Sequence, residues 1–179
     1  MEEIIYVHTG EVKLGRSNDV LYSTPIGSCV VITAWAARVS VGAMAHVMLP
    51  GEAPSSTPQP YKYAKNAIDR LVELMIPFVP LTETGVCLLG AANVLKKKDD
   101  TICDSNRQSI RAYLDKREIP VHAAVLGGYL RRSTCLCVSS GALVYTQAGG
   151  AERLLWQFEG ETVADQSMEG ALTYARRTG

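Results

Sequence analysis

Apolar residues along the chain fall into short runs separated by glycine, proline and polar clusters, with two longer amphipathic stretches between them. Ile4 to His8 and Val12 to Leu14 read as short strands on either side of Thr9-Gly10. From Gly27 the chain turns strongly apolar. Val30 to Ala37 is rich in β-branched and aromatic residues and predicts a buried strand. Val39 to Val47 follows so closely that the pair predicts a hairpin. In an antiparallel pair the start of the first strand lies beside the end of the second, so the hairpin brings Cys29 next to His46.

Pro50 to Pro60, PGEAPSSTPQP, holds four prolines and predicts a long loop. Tyr61 to Met75 predicts a helix. Ala64, Ala67, Ile68, Leu71, Val72 and Met75 recur at helical spacing, opposite a face of Lys65, Asp69, Arg70 and Glu73. Val86 to Leu89 predicts a buried strand closed by Gly90-Ala91-Ala92-Asn93, and Lys96 to Asp100 a charged turn. Ser105 to Lys116 predicts a second helix with Ser105 as its N-cap. Val121 to Leu126 predicts a strand ending at Gly127-Gly128. Ser133 to Val138 and Ala142 to Gln147 predict a hairpin over Ser139-Ser140-Gly141. The sum is an α/β fold, a sandwich of two main helices on a mixed sheet. One domain is expected over residues 1–150. Residues 151–179 form an extension in which Glu152 to Phe158 docks as a last strand and the tail beyond Gly160 is weakly ordered.

At 179 residues, 47% hydrophobic and 20% charged, the chain has the make-up of one globular domain. Eighteen basic residues balance eighteen acidic ones, which gives no reason to expect nucleic-acid binding. The N-terminus lacks an apolar signal core, and no apolar run is long enough to span a bilayer. A cytoplasmic protein without membrane insertion is the expectation. The five cysteines, Cys29, Cys87, Cys103, Cys135 and Cys137, follow no disulfide or zinc spacing. Cys135 and Cys137 form CxC rather than the CxxC of zinc sites, so no metal site is expected.

Cys29 comes directly after Gly27-Ser28, where a tight turn can present a thiol at the lip of a sheet. Backbone N–H groups there can face a developing oxyanion. His46 is the one histidine of the apolar stretch VGAMAHVML, and an imidazole near a thiol can take its proton. Cys87, inside a buried strand, reads as structural.

These residues also carry a family resemblance. Gly27-Ser28-Cys29-Val30 resembles the GSCV motif of the chemoreceptor glutamine deamidase family, CheD. Gly42 to Pro50 is similar to its GxxAHxxLP motif, and Lys62-Tyr63-Ala64 with Ala67-Ile68 to its KYxxxAI helix start. Gly90 to Asn93 resembles GGAN with Ala91 replacing the second glycine. Ile102 and Asn106 stand where the family has IGxxN, with Cys103 replacing the glycine. Gly127-Gly128 with Arg132, then Ser140-Gly141, follows its GGxxGR and TG pattern, with Arg131 replacing the glycine before the arginine. The resemblance runs in order from about residue 4 to 147.

The resemblance implies a protein-glutamine glutaminase that needs no cofactor. It would convert glutamines of methyl-accepting chemotaxis receptors to glutamate and ammonia, with some methylesterase activity. It implies a fold similar to glutamine-deamidating toxins and a CheC-type phosphatase as partner. The alternative is a protein acting mainly by binding and regulating that phosphatase. By this resemblance Cys29 is the nucleophile and His46 the base, and a hydroxyl upstream of Gly27, either Ser23 or Thr24, orients the imidazole. Gly27 and Ser28 would lie against the substrate.

Overall fold

A computed structural model describes residues 3–158. Ten strands run in chain order as β1 (Ile4–Tyr6), β2 (Val12–Arg16), β3 (Val20–Ile26), β4 (Val30–Ala36), β5 (Val41–Val47), β6 (Val86–Gly90), β7 (Val121–Leu126), β8 (Arg132–Cys137), β9 (Ala142–Gln147) and β10 (Arg153–Gln157). Helix α1 (Ala64–Met75) and the short α2 (Leu81–Thr84) lie between β5 and β6, and α3 (Thr101–Lys116) between β6 and β7.

The expected α/β sandwich forms, with its strands divided between two five-stranded mixed sheets. One has the order β1-β3-β8-β9-β10 and the other β2-β5-β4-β6-β7. Both faces of β4 and β5 are covered, which is why VVITAWA and VGAMAHV are buried throughout rather than alternating. Val30, Ile32, Ala43, Ala45 and Val47 pack under the Ile68–Leu71 face of α1 and the Ile110–Leu114 face of α3. The alternate positions, Val31, Trp35 and Met44, meet Leu21, Leu136 and Leu143 of the other sheet. The sheets come close enough that a Cβ on Gly42 would stand 2.6 Å from Leu136 Cδ2.

Several elements depart from the sequence reading. The strand β3 is not predicted, because Ser23-Thr24-Pro25 breaks its apolar run with turn-forming residues. It survives because the register against β8 slips between Ser23 and Ile26, where a proline can sit without costing a ladder bond. Ser105 is not an N-cap. The helix α3 starts at Thr101 after Asp100, and its buried stripe of Cys103, Asn106, Ile110 and Leu114 includes a cysteine and an amide that apolar patterning passes over. Tyr61 and Lys62 belong to a 3₁₀ turn ahead of α1. The two short strands expected on either side of Thr9-Gly10 form, and they join different sheets. The strand β1 lies parallel to β3 in one sheet and β2 antiparallel to β5 in the other.

The chain therefore passes from the first sheet to the second twice at the same end of the sandwich, through residues 7–11 and through residues 27–29. The strand β10 adds to the edge of β9, and Phe158 is buried in the layer between the sheets. The tail expected beyond Gly160 lies outside the described residues.

Candidate active site

The hairpin of β4 and β5 pairs Val31 with His46 and Val30 with Val47, so Cys29 ends up beside the imidazole strand as the sequence suggests. Cys29 is half-buried and His46 is 1% exposed. Alternation on β3 then decides between the two hydroxyls. Ser23 points inward and its Oγ stands 2.9 Å from His46 Nδ1. Thr24 takes the opposite face, where its hydroxyl is engaged with Ser133 Oγ at 2.7 Å. Thr24 is thus not brought to the imidazole.

The hydrogen bonds fix the tautomer. The Ser23 hydroxyl donates to the Val7 carbonyl at 2.7 Å, so its oxygen is left to accept from Nδ1–H. The Val7 carbonyl, 3.4 Å from Nδ1 and able only to accept, demands the same proton. Nε2 therefore carries the free lone pair, aimed at the end of the sandwich where Cys29 lies.

A residue that the sequence reading passed over as part of a turn lies there as well. The Thr9 hydroxyl is 3.5 Å from Nε2 and is hydrogen-bonded to the Cys29 side chain. Nothing local marks Thr9, since its neighbours at the site are far away in sequence.

Burial dominates the electrostatics. It pushes the Cys29 thiol above its ordinary 9.0, against the opposing pull of the Thr9 hydroxyl and the residue's own N–H. Burial also pulls His46 below its ordinary 6.5, with His8 acting in the same direction and the Val7 carbonyl and Glu11 opposing. At neutral pH the pair rests as neutral thiol and neutral imidazole. This suits general-base chemistry, in which the proton moves as the bond forms. Two of the other thiols are held firmly protonated. Burial pushes Cys87 and Cys103 up to about 12. Cys135 is buried and Cys137 half-exposed. Among the described residues no cluster of three or more candidate ligands could hold a metal.

The family model for CheD chemotactic sensory transduction matches residues 48–147. A probable chemoreceptor glutamine deamidase CheD of Chlorobium luteolum is 32% identical over 158 residues, covering 86% of this chain and 78% of its own. The chain belongs to the CheD family. A chemoreceptor glutamine deamidase CheD of Thermotoga maritima is 30% identical over 155 residues, 86% of this chain and 97% of its own length. The CheD family match begins just after His46, so it covers the scaffold behind the thiol and imidazole rather than those two residues.

The CheD scaffold explains its other motif residues. Asn106, fully buried on α3, donates from Nδ2 to the Ser28 carbonyl at 3.1 Å and the Met48 carbonyl at 3.0 Å. Both partners are acceptors, so the amide orientation is unambiguous. One side chain thereby ties the residue before Cys29 to the chain two residues past His46. Asn106→Ala is expected to cost about 2–3 kcal/mol by stranding both carbonyls, measured by urea denaturation. Arg132, 5% exposed, donates to the Gly90 carbonyl at 3.1 Å and the Gly127 carbonyl at 2.7 Å. It braces the glycine turns behind Cys29.

Behind the turn that carries Cys29, Ala92 N–H donates to the Gly27 carbonyl at 2.8 Å and Ala91 N–H to the Cys29 carbonyl at 2.7 Å. The Pro50–Pro60 loop is tied to the helices through Gly51 N–H to Ser109 Oγ and Ala53 N–H to Asn66 Oδ1, both 2.8 Å. No helix among the described residues is long and apolar enough to cross a membrane.

Proposed function

We propose that this chain is a cytoplasmic deamidase of glutamine side chains on methyl-accepting chemotaxis receptors, with Cys29 as nucleophile, His46 as base and Ser23 as the group that orients the imidazole. The observation that carries the reading is the chain of hydrogen bonds from the Val7 carbonyl through Ser23 to His46 Nδ1, which leaves Nε2 free on the side of the thiol. The relatives named as chemoreceptor glutamine deamidases supply the substrate class.

In this mechanism Nε2 takes the thiol proton as sulfur attacks the carboxamide carbon. The N–H groups around Gly27, Ser28 and Cys29 hold the oxyanion. The imidazolium then gives its proton to the departing nitrogen, ammonia leaves, and a thioester remains. Water, deprotonated by Nε2, attacks the thioester. Glutamate departs and the thiol regains its proton. No metal or organic cofactor takes part. Ile102, Met48 and Leu95 are exposed apolar residues on the segments around the Ser28–Asn106–Met48 tie, and they suit the flank of a receptor helix.

The test is incubation of the reduced protein with a folded cytoplasmic receptor fragment, with exchange of amide nitrogen for oxygen read by mass spectrometry. Conversion that disappears after alkylation of Cys29 supports the reading. No conversion by folded, reduced protein would overturn it and leave binding to a CheC-type phosphatase as the role.

The pH dependence follows from the neutral pair. Activity is expected to be flat from 6.5 to 9.0, because His46 titrates below the first value and Cys29 above the second. Below the plateau His46 is protonated and has no lone pair for the thiol proton. Above it Cys29 loses its proton ahead of the reaction, and the imidazole has none to give the leaving nitrogen. A kcat/KM profile measured on the receptor fragment checks this. A profile whose acid limb lies well below 6.5 and whose alkaline limb falls before 9.0 would point to a preformed ion pair instead.

A further inference from the structure

We infer that Thr9 relays the proton between the Cys29 thiol and the His46 imidazole. The backbone around Thr9 is strapped to the residue it serves. Gly10 N–H donates to the His46 carbonyl at 2.8 Å, and His46 N–H donates to the Glu11 carbonyl at 3.0 Å. Glu11 N–H closes the turn on the His8 carbonyl at 2.9 Å. The turn from His8 to Glu11 thus has its position set by His46 itself. Thr9, in its middle, touches both reacting groups: Nε2 at 3.5 Å and the Cys29 side chain.

The direction of transfer follows from the donors available. With the imidazole proton on Nδ1, Nε2 can only accept, so the Thr9 hydroxyl donates to it. The oxygen of Thr9 keeps lone pairs for the thiol. In the step, the S–H bond breaks and its proton passes to Thr9 Oγ1. The original Thr9 O–H proton passes to Nε2 at the same time. One proton has left sulfur, one has reached the imidazole, and threonine keeps a hydroxyl. That hydroxyl then donates to the thiolate, and Nε2–H donates to Thr9. The charged groups that bear on His46 are His8, which opposes the imidazolium, and Glu11, which favours it. Thr9 is exposed and His46 is buried, so the Thr9 hydroxyl sits between the imidazole and solvent.

The inference rests on the Cys29–His46 pairing, and its experiment separates it from the choice of substrate. Thr9→Val keeps the side-chain shape and removes the hydroxyl, and Thr9→Ser keeps the hydroxyl. Two readouts are taken: the pH dependence of Cys29 alkylation by iodoacetamide, and kcat and KM on the receptor fragment. Thr9→Val is expected to move the alkylation midpoint to higher pH and to lower kcat about 10²-fold, with KM within about twofold. Thr9→Ser is expected to restore both. An alkylation shift in Thr9→Val, rescued by Thr9→Ser, supports the relay even where no protein in the series converts the fragment, a result that would overturn the proposed function and not the relay. Coincident alkylation profiles for Thr9→Val and wild type would overturn it. Equal losses in Thr9→Val and Thr9→Ser would do so as well, by assigning Thr9 a purely structural part.

Discussion

Cys29→Ser is expected to lower receptor-glutamine conversion by about 10⁴-fold or more while leaving the fold intact. The substitution is nearly isosteric, and the turn that carries residue 29 is held by its backbone rather than its side chain. Ala91 N–H binds the Cys29 carbonyl and Asn106 the Ser28 carbonyl, and neither bond involves sulfur. What changes is the nucleophile. A serine hydroxyl holds its proton far more tightly than a thiol, and His46, with its basicity already reduced by burial, is a poor base for it. Thr9 and Ser23 remain in place and cannot compensate. Mass-spectrometric conversion rates for Cys29→Ser, with thermal unfolding as the control, check the expectation. Conversion within tenfold of wild type would remove Cys29 from the mechanism.

Gly90→Ala is expected to be the most damaging single methyl in the described structure near the site. Gly90 has φ +132°, a conformation that disfavours any L side chain. Its added Cβ would overlap the Cys29 carbonyl oxygen and stand 2.9 Å from Ile26 Cγ2. One of these is backbone, and it belongs to Cys29. Strain and overlap together cost about 3–5 kcal/mol, read as a fall in the urea midpoint. The folded fraction should also turn over about 10²-fold more slowly, because relief of the overlap displaces residue 29. The neighbouring position provides the contrast. Ala91 already sits at φ +49°, where the family resemblance has glycine, so Ala91→Gly should change stability by no more than about 1 kcal/mol. A Gly90→Ala protein as stable and active as wild type would mean that the turn behind Cys29 yields freely.

The thiol and the imidazole were legible in the sequence for a physical reason. Two strands covered on both faces leave long apolar runs, and a hairpin between them brings their ends together. Ser23 was legible only as one of two hydroxyls. Choosing between them requires the parity of a strand, and Ser23-Thr24-Pro25 conceals that strand by looking like a turn. Pairing with β8 supplies what local propensity does not. The start of α3 was misplaced for a related reason, since Cys103 and Asn106 occupy core positions without being aliphatic. Asn106 was visible as a motif residue, but its work of holding two distant carbonyls appears only in the folded chain. Thr9 gave no signal at all, because both of its partners, Cys29 and His46, lie far from it in sequence and meet it only in the folded chain. The division of the strands into two sheets was likewise unreadable, since β1 and β2 look alike in sequence and part company only through their partners.

The double passage of the chain between the sheets has a consequence for residues that carry no chemistry. Ser23 belongs to one sheet and His46 to the other, while Thr9 and Cys29 lie on the two strands of chain that connect them. The reach from hydroxyl to imidazole to thiol is therefore set by the thickness of the apolar filling. Leu136, lodged against Gly42, and Leu21 and Met44 beside it act as spacers for the proposed proton path without touching it. A bulkier or slimmer residue there retunes the reaction from a distance, much as a shim alters the gap between two contacts.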